Sequence, residues 1–287
     1  MRTAIIIPVF NGCDQLRACL VSLSWARALE QVSIVVVDSG STDGTLEFLA
    51  GEAAWAEVLR VDSAVWWTGA TDCGCRHALA DLGVEVLCLL NHDCRWSHEG
   101  YLALSGCLAV HANEIVCSQV VDLDSSDVVF SGGRQSRSGL VTTHWSERSS
   151  AVSGRERIVD WCGGMGVMFS TDTYKAIGGF DAAAFPHYFG DSDFCLRARR
   201  CGIVTRYCPT SVVTNDKSTS GVEIPRESAT MRTVFVSLFS RKSVWNFRDT
   251  ARFYVRHRGL LAPIALIHLY ALWAGMSAIR LARAVFR

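Results

Sequence analysis

The chain has 287 residues, of which 49% are hydrophobic and only five are Pro, so it can bury a large core as one compact domain with an extension. Its twelve cysteines are spread singly apart from Cys73-x-Cys75, with no C-x-x-C pair and no clustering with His, which excludes a disulfide framework or a zinc site and indicates a reduced cytosolic protein. The formal net charge is zero, yet residues 1–225 carry −9 and residues 226–287 carry +9, so the C-terminal segment has a different kind of surface.

The N-terminal segment predicts a β-strand, a helix and a second parallel strand. Thr3–Val9 and Val32–Val37 are β-branched runs of strand length, and Asp14–Leu29 between them has apolar residues at helical spacing. The first run is broken by Pro8 and ends at Asn11-Gly12, so it is too short for a signal peptide. The segment therefore predicts a βαβ unit of an α/β fold.

The second strand runs into a loop rich in small hydroxyl residues and glycine, Asp38–Thr45. Such a loop can present backbone N–H groups and a carboxylate to a nucleotide. Ordinary helix capping is an equal alternative for Ser41, Thr42 and Asp43, because these residue types are preferred caps. For Asp38, at the end of the strand, we favour a functional role.

Two adjacent tryptophans, Trp66-Trp67, follow the third short strand, Val58–Val61, in a predicted loop. Indole rings are costly to expose, so they either pack into the core or form a wall for a sugar or base ring. Gly69 is expected to let the backbone approach a ligand closely. Gly164, which precedes the apolar strand Val167–Ser170, is expected to do the same toward a ligand or another strand.

The run Val86–Asp93 predicts a buried parallel strand that ends abruptly on Asn91-His92-Asp93. A carboxylate beyond the carboxyl end of a central strand can hold a hard divalent cation, and the cation can hold a diphosphate. The alternative is an ordinary polar exit from the strand, with a capping Asp.

A second carboxylate of interest, Asp191, precedes the helical stretch Phe194–Cys201. A positioned carboxylate can accept a proton from an attacking hydroxyl, so Asp191 is the candidate general base. The alternative for Asp191 and Asp193 is that they are favourable charges at a helix N-terminus. Asp193 could equally pair with Arg197 one turn later.

Six segments stand in a characteristic order along the chain: IIIPVFNG, VVVDSGSTDGT, WWTGATDCG, LLNHD, GGMGVMFS, and GGFD followed by YFGDSDFCLRARRCG. In this order they resemble family 2 glycosyltransferases over roughly residues 3–217. The resemblance implies an α/β fold: a single nucleotide-diphospho-sugar-binding domain of GT-A type with a mixed, mainly parallel central sheet, plus a C-terminal helical extension. The expected catalytic domain covers residues 1–225, with its nucleotide-sugar half at about 1–95 and its acceptor half at about 96–225, and the extension covers 226–287.

The resemblance also implies roles for individual residues. In the family, the Asp matching Asp38 contacts the nucleotide base or ribose, and the residue matching Asp93 closes the Asp-x-Asp motif that binds Mg or Mn and the diphosphate. The Asp matching Asp191 is the catalytic base. The positions expected to bind the donor are Pro8, Asn11, Asp38, Ser41, Asp43, Trp67, Gly69, Asn91 and Gly164.

The chain departs from the family pattern at two metal-binding positions. Asn91 replaces the first Asp of the motif, so a single carboxylate should bind the cation weakly without the phosphates of the donor. Thr214-Asn215-Asp216 stands where many relatives carry a metal-binding His. Asp216, or else Asn215, is therefore the expected second protein ligand.

The basic C-terminal segment predicts a membrane-associated extension. Ser243–Arg258 places Arg248, Arg252 and Arg256 on one helical stripe, and Gly259–Ile279 follows with 21 uncharged residues. A membrane-embedded or interfacial helix pair fits this length and these flanking charges. The alternatives are a single span, or a buried helix at a homodimer interface or against the catalytic domain. A nucleic-acid arm is least favoured, because the Arg face is interleaved with aliphatic runs.

These features predict a metal-dependent, inverting glycosyltransferase at the inner face of the membrane, similar to bacterial rhamnosyltransferases of surface-polysaccharide synthesis. It would move a hexose or deoxyhexose from a UDP- or dTDP-sugar to a glycan or lipid-linked saccharide. A nucleotidyltransferase is the first alternative, but it should carry a Gly-rich basic loop where this chain has Asn11–Asp14. A catalytically silent sugar-binding or assembly subunit is the second, and the presence of both Asp93 and Asp191 argues against it.

Overall fold

The computed structural model describes residues 1–135, 154–216 and 230–285, together with the backbone of 142–144. The chain forms two compact units. The first, here called the large unit, comprises Met1–Arg134, His144–Pro186 and Gly190–Thr219. The second, the C-terminal unit, comprises Gln135–Thr143, His187–Phe189 and Ser220–Arg287.

The strands and helices are numbered in chain order. The strands are β1 (Thr3–Val9), β2 (Val32–Asp38), β3 (Glu57–Arg60), β4 (Val86–Leu89), β5 (Cys94–Trp96), β6 (Ile115–Asp122), β7 (Val128–Phe130), β8 (Gly133–Gln135), β9 (Thr142–His144), β10 (Arg157–Val159), β11 (Val167–Ser170) and β12 (Thr205–Asn215). The α-helices are α1 (Cys13–Ser22), α2 (Thr45–Gly51), α3 (Trp66–Asp81), α4 (His98–Val110), α5 (Thr171–Ile177), α6 (Gly190–Arg200), α7 (Met231–Phe239), α8 (Phe247–Arg258) and α9 (Ala262–Val285). Short 3₁₀ turns lie at Ser24–Ala28, Ser63–Val65 and Gly259–Leu261.

The large unit is built on a mixed sheet whose longest pairings are parallel. Its strand order is β10-β12-β6-β11-β4-β1-β2-β3, with β5 and β7 paired to β12 and β6. Strands β4, β1, β2 and β3 are mutually parallel, as are β12 and β6. Because parallel strands end at the same edge, the loops after β1, β2 and β4 come together there. We call this the carboxyl edge.

Alternating side chains of β1 show how the sheet buries both faces. Ile5 and Ile7 belong to one apolar layer with Leu16 of α1, whereas Ala4 and Ile6 belong to the opposite layer, which α3 completes. Every residue of β1 is buried, which explains why this strand is an unbroken apolar run rather than an alternating one. The α/β fold and the mixed, mainly parallel sheet predicted from the sequence are confirmed.

Three local predictions differ from the structure. The helix predicted over Asp14–Leu29 is α1 followed by a 3₁₀ turn, and α6 begins before Asp191 rather than after it. The loop predicted at the paired tryptophans is instead the first turn of α3. The physical reason is packing: a Cβ at Gly74 would contact Ile6 and Val37, so glycine in this helix allows close approach to the sheet.

The C-terminal unit contains α7, α8 and α9 and leaves many apolar side chains exposed. Helix α7 exposes Phe235 and Phe239, whose rings pack against each other. Along the 3₁₀ turn and α9, Leu260 is 98% exposed and Ile267 is 72% exposed. Among the residues that the structure describes, one helical segment, Phe247–Arg283, is long and apolar enough to cross a membrane, and most of it is exposed.

Candidate active site

The loops after β1 and β2 hold each other through five residues at the carboxyl edge. The backbone N–H of Asn11 donates to Ser41 Oγ at 2.9 Å, and the N–H of Thr42 donates back to Asn11 Oδ1 at 2.8 Å. Asn11 has a left-handed φ of 50°, a conformation that Asn tolerates better than most residues. Asp43 accepts the N–H of Cys13 at 3.0 Å. The predicted donor-binding residues of these two loops therefore form one connected rim.

Asp43 and Asp38 are both engaged within their own loop. Partial burial raises the pKa of Asp43, but hydrogen bonds from Thr45 and from the Cys13 N–H outweigh it, so its pKa is lowered. Asp38 is fully buried and accepts the N–H groups of Gly40 and Ser41, each at 3.2 Å. Asp43 accepts the N–H and the hydroxyl of Thr45 at the start of α2, but the cap residue of this helix is Gly44. The contacts of Asp38 hold its carboxylate at the end of β2.

Two further predicted residues are part of the scaffold around this rim. Pro8 is buried in β1 beyond Ile6, the last β1 residue paired with β4. Gly69 is buried in α3, where an added Cβ would overlap Val65 and contact Ala182. Packing alone accounts for glycine at this position, and close approach of a donor to Gly69 remains a prediction.

Asn91, Trp67, Gly164 and Asp191 form a continuous chain of contacts. Trp67 Nε1 donates to Asn91 Oδ1 at 2.9 Å. The Trp67 indole lies against Gly164, since a Cβ at Gly164 would overlap the six-membered ring. The Gly164 backbone also interacts with the Asp191 carboxylate. The structure thus brings four predicted site residues from α3, the end of β4, the loop before β11 and α6 to one place.

Asp191 lies in the first turn of α6, half-buried, with its carboxylate bound on one side. The backbone N–H of Ser192 donates to Asp191 Oδ1 at 2.7 Å, and Oδ2 lies beside Gly163. Burial raises the pKa of Asp191, and the hydrogen bonds from Ser192 and Gly164 offset only part of this shift. A carboxylate with a raised pKa is a stronger base than an ordinary Asp, which suits proton abstraction.

The end of β12 brings Asp216 next to Asp93. The backbone N–H of Asp216 donates to the Asp93 carbonyl at 2.9 Å, because β5 pairs antiparallel with the end of β12. Asn215 is buried and its amide donates to Cys94 Sγ at 3.6 Å, which favours Asp216 over Asn215 as an accessible oxygen ligand. Two half-buried carboxylates fit a hard divalent cation. Among the described residues, no third His, Cys, Asp or Glu completes a cluster with them.

A buried network that the sequence analysis missed holds α3 against the segment after α5. Asp72 accepts the Tyr174 hydroxyl at 2.5 Å, the Phe180 N–H at 2.9 Å and Arg76 Nε at 2.6 Å. Burial, then the hydrogen bond to Asp72, raises the pKa of Tyr174. The network fixes the start of the segment between α5 and α6, which leads toward Asp191. The sequence signal for it was an acidic residue among the small residues of α3.

The family profile described as "Glycosyl transferase family 2" matches residues 4–167. The chain belongs to this glycosyltransferase family. The match includes the carboxyl edge, Asn91, Asp93 and Gly164, whereas Asp191 and Asp216 lie beyond its end. No curated protein sequence matches the glycosyltransferase.

Two solved structures share the fold of this glycosyltransferase. GalNAc-T7 with UDP, GalNAc and Mn²⁺ has a TM-score of 0.62 and 14% identity, over 89% of this chain and 50% of its own. The mannosyltransferase PcManGT from Pyrobaculum calidifontis, in complex with GDP-Man and Mn²⁺, has a TM-score of 0.59 and 17% identity, over 99% of this chain and 75% of its own. At these identities the similarity shows the GT-A-like fold alone, and the chain spans about half the length of GalNAc-T7.

Proposed function

We propose that this protein is a divalent-metal-dependent, inverting glycosyltransferase that moves a hexose or deoxyhexose from a UDP- or dTDP-sugar to a saccharide acceptor. The observation that carries the proposal is the contact chain from Asn91 through Trp67 and Gly164 to Asp191. It links the residue that opens the metal motif with the candidate base. Membership of the family supports a nucleotide-sugar donor, as do both structural neighbours, one solved with UDP and GalNAc and the other with GDP-Man.

The carboxyl edge would hold the donor. Exposed side chains and N–H groups around Asn11 and Thr42 offer polar partners to the base and ribose, with Asp38 behind them. The Asn91 amide would face the diphosphate, since its oxygen already accepts the Trp67 N–H and its NH₂ group is a donor. The indole of Trp67 would supply an apolar wall for a ring.

Asp93 and Asp216 would hold Mg or Mn through their carboxylate oxygens. When bound, the cation supplies Lewis-acid stabilisation of the departing diphosphate. Asp191 would accept the proton of the attacking acceptor hydroxyl, and its raised pKa makes it suited to this role. Inversion follows if this hydroxyl attacks the anomeric carbon directly from the face opposite the leaving group.

The C-terminal unit supports a role at an anionic membrane surface, with a lipid-linked saccharide of surface-polysaccharide synthesis as the acceptor. Its segment 226–287 contains eleven Lys and Arg and two acidic residues. Apolar side chains exposed on α7 and α9 would enter the interface, and basic residues would meet lipid phosphates. Twelve free cysteines suit the reducing cytoplasmic side. A second copy of the chain is the competing occupant of this apolar surface.

A thermal-shift screen of nucleotide-diphospho-sugars with and without Mn²⁺ tests the proposal. One donor should stand out, because a ligand at a hundred times its dissociation constant stabilises by about 2.7 kcal/mol. With that donor and Mn²⁺, slow release of free sugar would distinguish an enzyme from a silent subunit. Release of pyrophosphate from a nucleoside triphosphate and a sugar phosphate would instead establish a nucleotidyltransferase and overturn the proposal.

A further inference from the structure

Two cysteines and a glutamate cluster near the start of β12, away from the carboxyl edge. Cys107 lies on α4, Cys208 on β12, and Glu156 immediately before β10. Their sulfur and carboxylate oxygen atoms all lie within 4.8 Å of one another. The expectation that cysteines do not cluster with other metal-ligating side chains is therefore wrong for this pair.

A histidine adjoins the cluster. His111 follows Cys107 by four residues at the end of α4, which places both side chains on one side of the helix. His111 Nε2 lies 3.4 Å from Glu156 Oε2. Both thiols are buried, whereas the imidazole and carboxylate are partly exposed, so the sulfur atoms are shielded and the other two groups face an entry path from solvent.

The two thiols contact each other. The Cys107 thiol donates a hydrogen bond to Cys208. Cys208 Sγ also lies 3.3 Å from Thr210 Oγ1. Two sulfur atoms and a carboxylate oxygen this close together suit a soft or borderline cation, because sulfur ligands prefer such metals.

We propose that Cys107, His111, Glu156 and Cys208 form a structural zinc site. Zinc in proteins takes four ligands tetrahedrally, with zinc–sulfur bonds of about 2.3 Å, so its two sulfur ligands lie about 3.8 Å apart. The two sulfurs and the Glu156 carboxylate already lie within 4.8 Å of one another, and His111 Nε2 lies 3.4 Å from Glu156 Oε2 while its Nδ1 lies 3.7 Å from Glu114 Oε1. Four protein ligands leave no open position for substrate, which gives the site a structural role.

The location of the cluster explains what the metal would do. β10 is the edge strand of the sheet and pairs with β12 through three residues, Arg157–Val159. Zinc would join the residue before β10 to β12 and to the end of α4, and so fix this edge. Cys208 pairs with Ser118 of β6, whereas Asn215, the residue before Asp216, pairs with Asp122. At about 3.3 Å per residue these β6 positions are roughly 13 Å apart, so the cluster is separate from the proposed donor metal.

Cobalt substitution and metal analysis of the full chain, purified under reducing conditions, test the proposal. We expect about one zinc per chain. We also expect Co²⁺ to give a near-ultraviolet thiolate charge-transfer band and the visible bands of tetrahedral cobalt. Cys107→Ser should weaken the charge-transfer band to about half or less, since one of two thiolates is lost, whereas Cys201→Ser, which removes an exposed thiol outside the cluster, should retain the full band. Asp93→Ala should also retain the band, so this test does not depend on the proposed enzymatic function.

Cys107→Ser changes a buried residue and could lose metal simply by misfolding. His111→Gln changes a partly exposed residue and keeps both buried thiols, so it tests metal binding in a folded protein. Loss of a true ligand should weaken zinc binding beyond the roughly 10–100-fold typical of an outer-shell partner. A chelator should lower the melting temperature of the wild type, and zinc should restore it better than manganese, because thiolates prefer zinc. Absence of zinc and of the charge-transfer band in reduced wild-type protein would overturn the proposal. A band unchanged by Cys107→Ser, or conversion of the two thiols to a disulfide without metal, would overturn it as well.

Discussion

Replacing Asp191 and Asp193 separately by Asn should separate chemistry from stability. The two carboxylates are two residues apart in α6 but have different surroundings. Asp193 is fully buried and accepts Arg197 Nε at 2.7 Å. Arg197 also donates to the carbonyls of Ile177 and Gly179 at 2.8 and 2.7 Å. Asp191 is half-buried and faces the glycines before β11.

Asp191→Asn should lower sugar transfer by at least about 10²-fold, the low end of what a general base contributes. Donor affinity should persist, because an amide oxygen can still accept the Ser192 N–H. The pKa of Asp191 is raised by burial, so the native state binds more protons than the unfolded state as pH passes between the two pKa values. Its charge therefore lowers stability above the unfolded pKa of about 3.9, and Asn should melt no lower than wild type at neutral pH.

Asp193→Asn should have the opposite outcome, because it leaves Arg197 without its buried counter-charge. Removing one partner of a buried ion pair costs about 3–5 kcal/mol, and the lower end applies since Arg197 is 20% exposed. At about 2–4 °C per kcal/mol, the melting temperature should fall by roughly 6–12 °C. Transfer per folded molecule should change little below the transition.

Both variants are compared with wild type by calorimetric melting, by donor titration with Mn²⁺, and by transfer rate across pH at a temperature where all are folded. Wild-type kcat should fall as pH drops through the raised pKa of Asp191, since the base becomes protonated. The reasoning is refuted if Asp191→Asn retains transfer within about 10²-fold of wild type. A normal melting temperature for Asp193→Asn with loss of transfer would move the catalytic role to Asp193.

Three further changes test the donor pocket, the metal ligands and the C-terminal unit. Gly164→Ala should displace the Trp67 indole and weaken donor binding. The control is Gly106→Ala, at an open helical position, which should melt at or above the wild-type temperature. Equal donor affinities for the two variants would contradict the role of Trp67. Asp93→Ala should abolish metal-dependent turnover without loss of fold, and normal turnover with Mn²⁺ would show that the metal assignment is wrong. Charge reversal of three exposed basic residues of the C-terminal unit should weaken binding to anionic vesicles, most strongly at low salt. The control is Lys175→Glu, which reverses an exposed charge in the large unit. If the reversal instead converts a dimer to a monomer, an interface between copies is favoured. The three residues are Arg232, Arg248 and Arg283.

The strands could be predicted because burial on both faces leaves a pattern in the local sequence. β1 and β2 are buried on both faces, so their sequences are continuous β-branched runs with clear ends. The start of α3 could not be predicted. Gly69 and Gly74 suggest a loop locally, whereas their role depends on neighbours distant in sequence, Ala182 for Gly69 and Ile6 for Gly74. Helix propensity is a weak prior that such tertiary packing overrides.

The candidate site could likewise be predicted only in part, because local motifs identify its residues whereas long-range packing determines their contacts. Motif order identified Asp93, Asp191 and Asn91 as candidates, but the hydrogen bond from Trp67 to Asn91 depends on how α3 packs beside β4. The nearness of Asp216 to Asp93 depends on the pairing of β5 with β12, a register between residues more than 100 positions apart. The cysteine cluster joins residues 107, 156 and 208, and its only local signal was the four-residue spacing from Cys107 to His111.

The Asn at position 91 has a consequence for how metal and donor bind. Its Oδ1 accepts the Trp67 N–H, which uses one of the two lone pairs of this oxygen, and a neutral amide brings no negative charge to a cation. Two carboxylates, Asp93 and Asp216, remain to hold a hard cation that prefers six or more oxygen ligands. Phosphate oxygens of the donor would have to complete the coordination. Because binding linkage is reciprocal, the donor must then raise metal affinity by the same factor by which the metal raises donor affinity. Mn²⁺ alone should therefore stabilise the protein little, and donor with Mn²⁺ should stabilise it by more than the sum of the two separate shifts.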